Sequence, residues 1–297
     1  MPIRPTSGSD EPEVFTREIK RMNISDFIDR LRRGRDLAAD EMSTVIDVMM
    51  QGRCGEQETA DLLLALRAKG ETGDEIAGAA LAMRKHMTRI RTSRSGVIDT
   101  CGTGGDASGT FNISTGAALV AAAAGVPVAK HGNRSVTSKS GSADVLAALG
   151  VDIEAPVEAV ERCLEQVGIC FCFAPLLHPS MRHVAAVRRR LGVPTIFNLL
   201  GPLCNPASAP YQLMGIGRPP LRPLLAAALQ RLGTQHAVVV CGRDGLDEVT
   251  LAGETLVSEV TPESVRETAW SPAEFGLLRA DLTALRVDGP EASAALI

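Results

Sequence analysis

The stretch VIDTCGTGGDASGTFNIST, residues 97–115, decides how the rest of this chain is interpreted. An apolar strand at Val97 and Ile98 leads into a polar loop, and an alanine-rich helix follows the loop. The loop contains four glycines: Gly102, Gly104, Gly105 and Gly109. Backbone N–H groups at such a junction can point at an anion, and the helix dipole adds positive potential. Because glycine has no side chain to hold phosphate oxygens away from the amides, the stretch predicts a phosphate site.

The spacing of these glycines differs from that of the two common phosphate motifs. No Lys-Ser/Thr pair follows them, and GTGGD is not G-x-G-x-x-G. A glycine-rich turn between strand and helix can also be purely structural, and GTGGD alone leaves both interpretations open. The length of the polar loop favours binding, because residues 101–115 contain no Lys, Arg or Glu.

The amino-acid composition limits the classes of protein to which this chain can belong. A chain of 297 residues with 45% hydrophobic residues is long enough for one large domain or two. The formal net charge of −4 and the aromatic content of 3% argue against a nucleic-acid partner. Apolar runs stay below the roughly 18–20 residues of a membrane span, and we expect no membrane partner and no secretory signal. The seven cysteines, none in a CxxC pair, are interpreted as reduced thiols of a cytoplasmic protein.

The first part of the chain is predicted to be helical. Residues 1–22 have no hydrophobic period, which predicts a flexible tail. From Asn23 apolar residues recur at helical spacing, and Thr72 and Glu75 have the spacing of a capping box. We therefore predict an α-helical domain over residues 23–94, joined by part of 174–191.

The pattern changes to alternating strands and helices after residue 94. Strands are predicted at 97–99, 126–129, 169–173, 195–199 and 236–241, with helices near 114–124, 142–149, 156–167, 180–191 and 221–232. Apolar strands that alternate with helices predict a larger α/β domain over 95–297, with a central, mostly parallel sheet flanked by helices. Ligands of such sheets bind beyond the carboxyl ends of the strands, and unusual polar residues follow several of these strands.

Cations and hydroxyls follow the strand at 126–129. The segment KHGNRSVTSKSGS, residues 130–142, interleaves Lys130, His131 and Arg134 with several Ser and Thr residues, a combination that suits phosphate oxygens. A basic loop by itself is usually only solvated. A second phosphate-like loop at an equivalent strand end makes binding the better interpretation.

Two acids and one arginine are ambiguous from spacing alone. Asp247 and Glu248 follow the strand at 236–241; adjacent acids are usually surface charge, but beside a polyphosphate they are suitable Mg²⁺ ligands. Arg188 shares a predicted helix face with Met181 and Val184, where it could bind a carboxylate beside an apolar ring. The spacing favours instead a solvated basic helix end for Arg188.

Five motifs, in this order, resemble the anthranilate phosphoribosyltransferase family. They are CGTGGD (101–106), NIST (112–115), KHGNR (130–134), SGSADVLAALG (140–150) and NLLGPLCNP (198–206). The resemblance extends over about residues 23–275 and implies a helical domain hinged to an α/β domain, a cytoplasmic homodimer and two Mg²⁺ ions. The reaction it implies is the transfer of phosphoribose from phosphoribosyl pyrophosphate (PRPP) to the amine of anthranilate in tryptophan biosynthesis.

The resemblance also implies the roles of individual residues. Those that would bind PRPP are Gly102, Gly105, Asp106, Thr110, Asn112, Ile113, Ser114, Thr115, Lys130, His131, Gly132, Asn133, Arg134, Ser135, Val136, Thr137, Ser138 and Ser142. Those that would contact anthranilate are Gly102, Asn133, His178 and Arg188, and those that would bind metal are Ser114, Asp247 and Glu248. No catalytic group is assigned with certainty; His131 and Arg188 are candidates for positioning the substrates.

The end of the chain departs from the family pattern. Family members continue with further helix and strand, whereas this sequence ends at Ile297 in EASAALI, the start of a predicted helix. We therefore expect a truncated α/β domain whose last sheet elements are incomplete. Two alternatives remain, a pyrimidine nucleoside phosphorylase and a non-catalytic relative that binds PRPP or nucleic acid. The KHGNR motif argues against the first, and the acid pair, Arg188 and the acidic net charge argue against the second.

Overall fold

The computed structural model describes residues 23–134 and 140–297. The predicted tail at 1–22 lies outside the described residues, as do four of the predicted PRPP contacts: Ser135, Val136, Thr137 and Ser138.

The amino-terminal part consists of short amphipathic helices. They are α1 (Ile24–Arg32), α2 (Ala39–Met50), α3 (Glu56–Lys69) and α4 (Gly73–Lys85). The predicted capping box starts α4: Thr72 Oγ1 accepts the Glu75 N–H at 3.2 Å, and the Glu75 carboxylate accepts the Thr72 N–H at 2.9 Å. Glu75 is fully buried and also accepts hydrogen bonds from the Leu37 N–H and the Lys69 ammonium, both at 3.0 Å. This one side chain therefore joins the start of α2 to α3 and α4.

A sheet forms the centre of the second part. Within the described residues it has seven strands: β1 (Ile98–Asp99), β2 (Val128–Gly132), β3 (Ile169–Phe173), β4 (Tyr211–Gly215), β5 (His236–Gly242), β6 (Thr255–Val260) and β7 (Val265–Trp270). Their order is β3-β2-β1-β4-β5-β6-β7, parallel from β3 to β5 and antiparallel for β6 and β7. The prediction of a mostly parallel sheet is confirmed, and the carboxyl ends of β1, β2 and β5 share one edge.

Helices flank this sheet. They are α5 (Ile113–Ala123), α6 (Ser142–Ala148), α7 (Val157–Val167), α8 (Ala174–Leu177), α9 (Arg182–Leu191), α10 (Phe197–Leu200), α11 (Leu221–Arg231) and α12 (Pro290–Leu296). Short 3₁₀ turns lie at Pro179–Met181, Gly201–Leu203, Pro272–Phe275 and Thr283–Leu285. None of the helices in the described parts of the chain has the length and apolar character to cross a bilayer.

The strand predicted at 195–199 is wrong. The Asn198 side chain accepts the Thr195 N–H at 2.9 Å, and the Asn198 N–H bonds the Thr195 carbonyl at 2.8 Å, so the chain turns into α10. The central parallel position is occupied by β4, which the apolar pattern did not predict because Tyr211 and Gln212 interrupt it. The antiparallel strands β6 and β7 were not predicted either.

One apolar core joins the helical part to the sheet. It runs from Phe27 of α1 and Met42 of α2 to Val239 of β5, and it includes Val184 of α9. The α9 helix packs on α2 and α3. All seven cysteines are free thiols, four of them buried: Cys170, Cys172, Cys204 and Cys241. This continuous packing holds the helical part against the edge of the sheet where the polar loops lie.

Candidate active site

The glycine-rich loop leaves β1 and reaches the amino terminus of α5. A Cβ atom on Gly102 would lie 2.7 Å from the carbonyl oxygen of Gly215 in β4, so only glycine fits this close approach. Gly104 and Gly105 have φ of +66° and +88°, in the left-handed region that favours glycine. Asn112 caps α5 by accepting the Thr115 N–H at 3.1 Å. The loop thus places a helix amino terminus and a run of glycine-rich backbone on one side of a cavity.

Lys130 brings a buried cation to this loop from the end of β2. Its ammonium lies 3.2 Å from Thr100 Oγ1 and 3.1 Å from Ser114 Oγ. Burial lowers the pKa of Lys130, whereas the neighbouring Asp99 and Glu248 carboxyls raise it. Asp99, the last residue of β1, accepts the His131 N–H at 3.1 Å and so ties the ends of β1 and β2 together.

Three carboxyl groups, those of Asp106, Asp247 and Glu248, line the same cavity. The Asp247 N–H donates to the Asp106 carboxylate at 3.4 Å. Burial, with the Asp106 charge second, raises the pKa of Asp247 to about 7. Burial and the Asp247 charge raise the pKa of Glu248 to about 8, and the Glu248 carboxylate accepts the Ser114 N–H. The acid pair is therefore part of the site, and the charges of these acids are only partly balanced by Lys130.

Two buried histidines form a fixed pair beside the cavity. His131 Nδ1 lies 2.9 Å from the Gly201 carbonyl oxygen, and since a carbonyl only accepts, Nδ1 carries the proton. The neutral ring then has its lone pair on Nε2, which lies 3.2 Å from His178 Nε2. Burial lowers the pKa of His131 to about 3 and that of His178 to about 4, so both rings are neutral at pH 7.

Arg188 lies in α9 at the edge of the same region. Its guanidinium carbon is 5.4 Å from the centroid of the Phe197 ring, and burial lowers the pKa of Arg188. It forms no ion pair among the described residues, unlike Arg190 in the same helix, which pairs with Glu56 at 2.6 Å. A partly buried guanidinium without an ion pair among the described residues is suited to an anionic ligand.

The loops after β1, β2 and β5 enclose one cavity of about 300 Å³. The predicted site residues that line it are Gly102, Asp106, Thr110, Asn112, Ile113, Ser114, Lys130, His131, Gly132, Asn133, Arg134, Ser142, Asp247 and Glu248. Four others do not line it: Gly105, Thr115, His178 and Arg188. Thr115 supports Asn112, His178 lies behind His131, and Arg188 lies behind Phe197.

Several residues that line the cavity were not predicted from the sequence to be part of the site. Ala174, Phe197, Asn198, Gly201 and Pro202 line it from the segments that connect the helical part to the sheet. The motif NLLGPLCNP, residues 198–206, was a signal for three of them. Phe197 had no such signal, because an apolar residue before a short helix is indistinguishable from core.

Comparisons with known proteins agree with this architecture. Residues 25–87 match the helical bundle domain of a glycosyl transferase family, and residues 94–297 match the α/β domain of that family. An anthranilate phosphoribosyltransferase of Rhodopirellula baltica is 54% identical over 276 residues, which cover 93% of this chain and 81% of the relative. The crystal structure of the Thermus thermophilus enzyme of that name is 48% identical, with a TM-score of 0.85, over 91% of this chain and 80% of that one.

The anthranilate phosphoribosyltransferase of Saccharomyces cerevisiae is similar in two ligand complexes. The complex with PRPP and Mg is 29% identical with a TM-score of 0.84, over 94% of this chain and 81% of that one. The complex with 4-fluoroanthranilate is 28% identical with a TM-score of 0.80, over 92% of this chain and 79% of that one.

The helical bundle, the α/β domain and the polar cavity between their loops define a glycosyl transferase. Within that class, the chain belongs to the anthranilate phosphoribosyltransferase family.

Proposed function

We propose that this cavity transfers the 5-phosphoribosyl group of PRPP to the amine of anthranilate and releases pyrophosphate, a step of tryptophan biosynthesis. One observation carries the proposal. The turns around Gly104, Asn133 and Glu248, which lie far apart in the chain, line a single cavity at the carboxyl ends of parallel strands.

The acids of the cavity fit Mg²⁺. Oxygen donors are the ligands this ion prefers, and the raised pKa values of Asp247 and Glu248 indicate negative charge that a cation would offset. Ser114, Asp247 and Glu248 would hold the metal, and a bound Mg²⁺ would supply positive charge to neutralise the departing pyrophosphate. Because Mg²⁺ usually takes one or two carboxylates, the addition of Asp106 beside Asp247 supports a second ion.

The groups of the chain act on PRPP by position and charge. The amides of the glycine-rich loop and of the amino terminus of α5 donate hydrogen bonds to phosphate oxygens, and Lys130 adds a cation that Ser114 and Thr100 orient. As the C1–O bond of PRPP breaks, positive charge develops on the ribose. The buried carboxylates, whose negative charge offsets it, line the same cavity.

Anthranilate needs orientation more than deprotonation, since its amine is already neutral at pH 7. Burial lowers the pKa of His131 to about 3, which makes its ring a weak base, so we assign His131 a positioning role. We assign Arg188 to the anthranilate carboxylate, because it is a partly buried cation beside Phe197 of the cavity wall and has no ion pair among the described residues.

We further propose a cytoplasmic homodimer with a helical domain at 23–94, joined by part of 174–191, and an α/β domain at 95–297. Free thiols suit a reducing compartment, and the packing of α9 on α2 and α3 supports the domain division.

A fluorescence assay tests the proposed function. Anthranilate fluorescence should decay when PRPP and Mg²⁺ are added to the purified chain, and EDTA should stop the decay. Cleavage of a pyrimidine nucleoside by free phosphate, without PRPP, would instead identify a nucleoside phosphorylase. No decay in the presence of all components would refute the proposal.

A further inference from the structure

The carboxyl-terminal segment of the described chain holds the glycine-rich loop in place. The Phe111 N–H donates to the Leu285 carbonyl at 2.8 Å, and the Val287 N–H donates to the Gly109 carbonyl at 2.9 Å. Thr110 and Arg286 form an antiparallel bridge between these bonds. Residues 109–111 are thus paired with a segment that lies about 175 positions further along the chain and is not part of the sheet.

Ser293 of α12 makes the next contact along the loop. Its Oγ accepts the backbone N–H of Asn112 at 2.9 Å, and the Ser293 side chain is fully buried. Asn112 is the residue before α5, where backbone N–H groups have no partner within the helix. Ser293 therefore satisfies one of these groups from outside and fixes the plane of the peptide that enters the helix.

The Asn112 side chain in turn forms hydrogen bonds to two residues of the cavity wall, Ser114 and Ser140. Its Oδ1 accepts Ser114 Oγ at 3.2 Å, and Ser114 Oγ also receives the Lys130 ammonium at 3.1 Å. Its Nδ2 donates to the Ser140 carbonyl at 3.0 Å, beside the amino terminus of α6. Ser293 of α12 bonds Asn112, which follows the glycine-rich loop, and α12 also packs against α6, which follows the second predicted phosphate loop. One short helix therefore contacts both of these segments.

We infer that Ser293 is a positioning residue for the PRPP half of the site: by holding the Asn112 amide, it sets Ser114 and Lys130 for the phosphates and the metal. The inference rests on the proposed function. Ser293 does not line the cavity, and its side-chain hydroxyl is linked to it through the bond to Asn112. Arg188, the residue that we assign to anthranilate, lies on α9 and takes part in none of these hydrogen bonds.

Two variants separate the hydrogen bond from packing. Ser293→Ala removes the acceptor, whereas Ser293→Cys keeps the bulk and replaces the hydroxyl by a weak acceptor. Ser258→Ala is the matched control, because Ser258 is also fully buried but lies on β6, where it donates to Glu267 at 2.7 Å. All three variants are compared as full chains by melting temperature, steady-state kinetics and calorimetric binding of PRPP in the presence of Mg²⁺.

Both Ser293 variants should raise the KM and Kd for PRPP roughly tenfold and change the KM for anthranilate less than about twofold. The Asn112 amide, followed by NMR, should exchange with solvent faster in both. The Ser258→Ala control should lower the melting temperature without changing either KM.

Unchanged PRPP affinity in both Ser293 variants, or a wild-type affinity in Ser293→Cys alone, would show that the serine only packs and would overturn the inference. A wild-type chain that binds PRPP without consuming anthranilate would refute the proposed function instead. The PRPP affinities of the variants would then still decide the role of Ser293.

Discussion

The Arg188 guanidinium lies over the ring of Phe197, 5.4 Å from its centroid, and the ring is part of the cavity wall. The contact holds a partly buried cation in one orientation at the border of a site whose buried cation, Lys130, already faces hydroxyls and carboxyls. Spacing alone favoured a solvated arginine at this position. Partial burial among tertiary contacts makes it a candidate for binding an acid.

Arg188→Ala should raise the KM for anthranilate by roughly a hundredfold, the size of a lost charge-assisted pair, and leave the KM for PRPP within about threefold. Steady-state kinetics with each substrate varied in turn measure both values. Arg189→Ala, on the exposed side of the same helix, is the control and should change neither. Equal increases in both KM values would contradict the carboxylate role.

Replacing both acids, Asp247→Asn with Glu248→Gln, should abolish Mg²⁺-dependent turnover, because the amides cannot offset the charge of a divalent ion. A titration of activity with Mg²⁺ checks this expectation. Glu254→Gln, which removes an exposed ion pair with Arg243, provides the control. If the double variant kept the metal titration of the wild type, the acid pair would have no role in metal binding.

PRPP should slow hydrogen exchange in residues 102–109, because its phosphate oxygens would accept hydrogen bonds from amides of the glycine-rich loop. Mass spectrometry of the Mg²⁺-loaded chain with and without PRPP measures the difference. Helix α1, none of whose residues lines the cavity, should exchange at the same rate in both samples. Protection confined to other segments would mean that the phosphates bind elsewhere.

The buried histidine pair should make stability depend on acid pH. The pKa of His178 is about 4 in the folded chain and about 6.5 when unfolded, so the unfolded chain takes up the proton first as the pH falls. The contribution of neutral His178 is thus fully present above about pH 6.5 and is lost as the pH falls toward 4. Relative to His178→Asn, which cannot titrate, the wild type should lose about 2 kcal/mol between pH 7 and pH 5.

Urea unfolding of both proteins at the two pH values measures this difference. The exposed His183 on α9 offers a control, since His183→Asn should keep the pH dependence of the wild type. A constant free-energy difference between wild type and His178→Asn would show that His178 is not held neutral by burial.

Local sequence patterns predicted the elements that depend on local interactions. The amino-terminal helices were identified from their apolar spacing and from the capping box of Thr72 and Glu75, which operates within one turn. Strands β6 and β7 and the central β4 were not identified, because strand pairing joins residues distant in sequence and Gln212 looks polar in isolation. The strand at 195–199 was wrong for a different reason: the Asn198 side chain accepts the Thr195 N–H, and this local bond stabilises a turn in a segment that the apolar pattern alone predicted to be extended.

The sequence predicted the segments that form the candidate site, but it did not predict how these segments are arranged in space. The phosphate loops and the acids were found because glycines, cations and carboxylates follow strand ends in an order similar to that of one enzyme family. Their distances, the shifted pKa values and the contribution of Phe197 depend on how the sheet is closed against the helical part.

The amino-acid sequence by itself determined the class of the fold and the family, and it predicted the phosphate chemistry of the loops, since spacing and residue type carry that information. The tertiary structure alone decided that Asn112 meets Ser293, that Asp106 meets Asp247 and that Arg188 is partly buried with no ion pair among the described residues. These contacts join residues that are far apart along the chain, and burial then sets the energies of the charged groups in a way that no local pattern encodes.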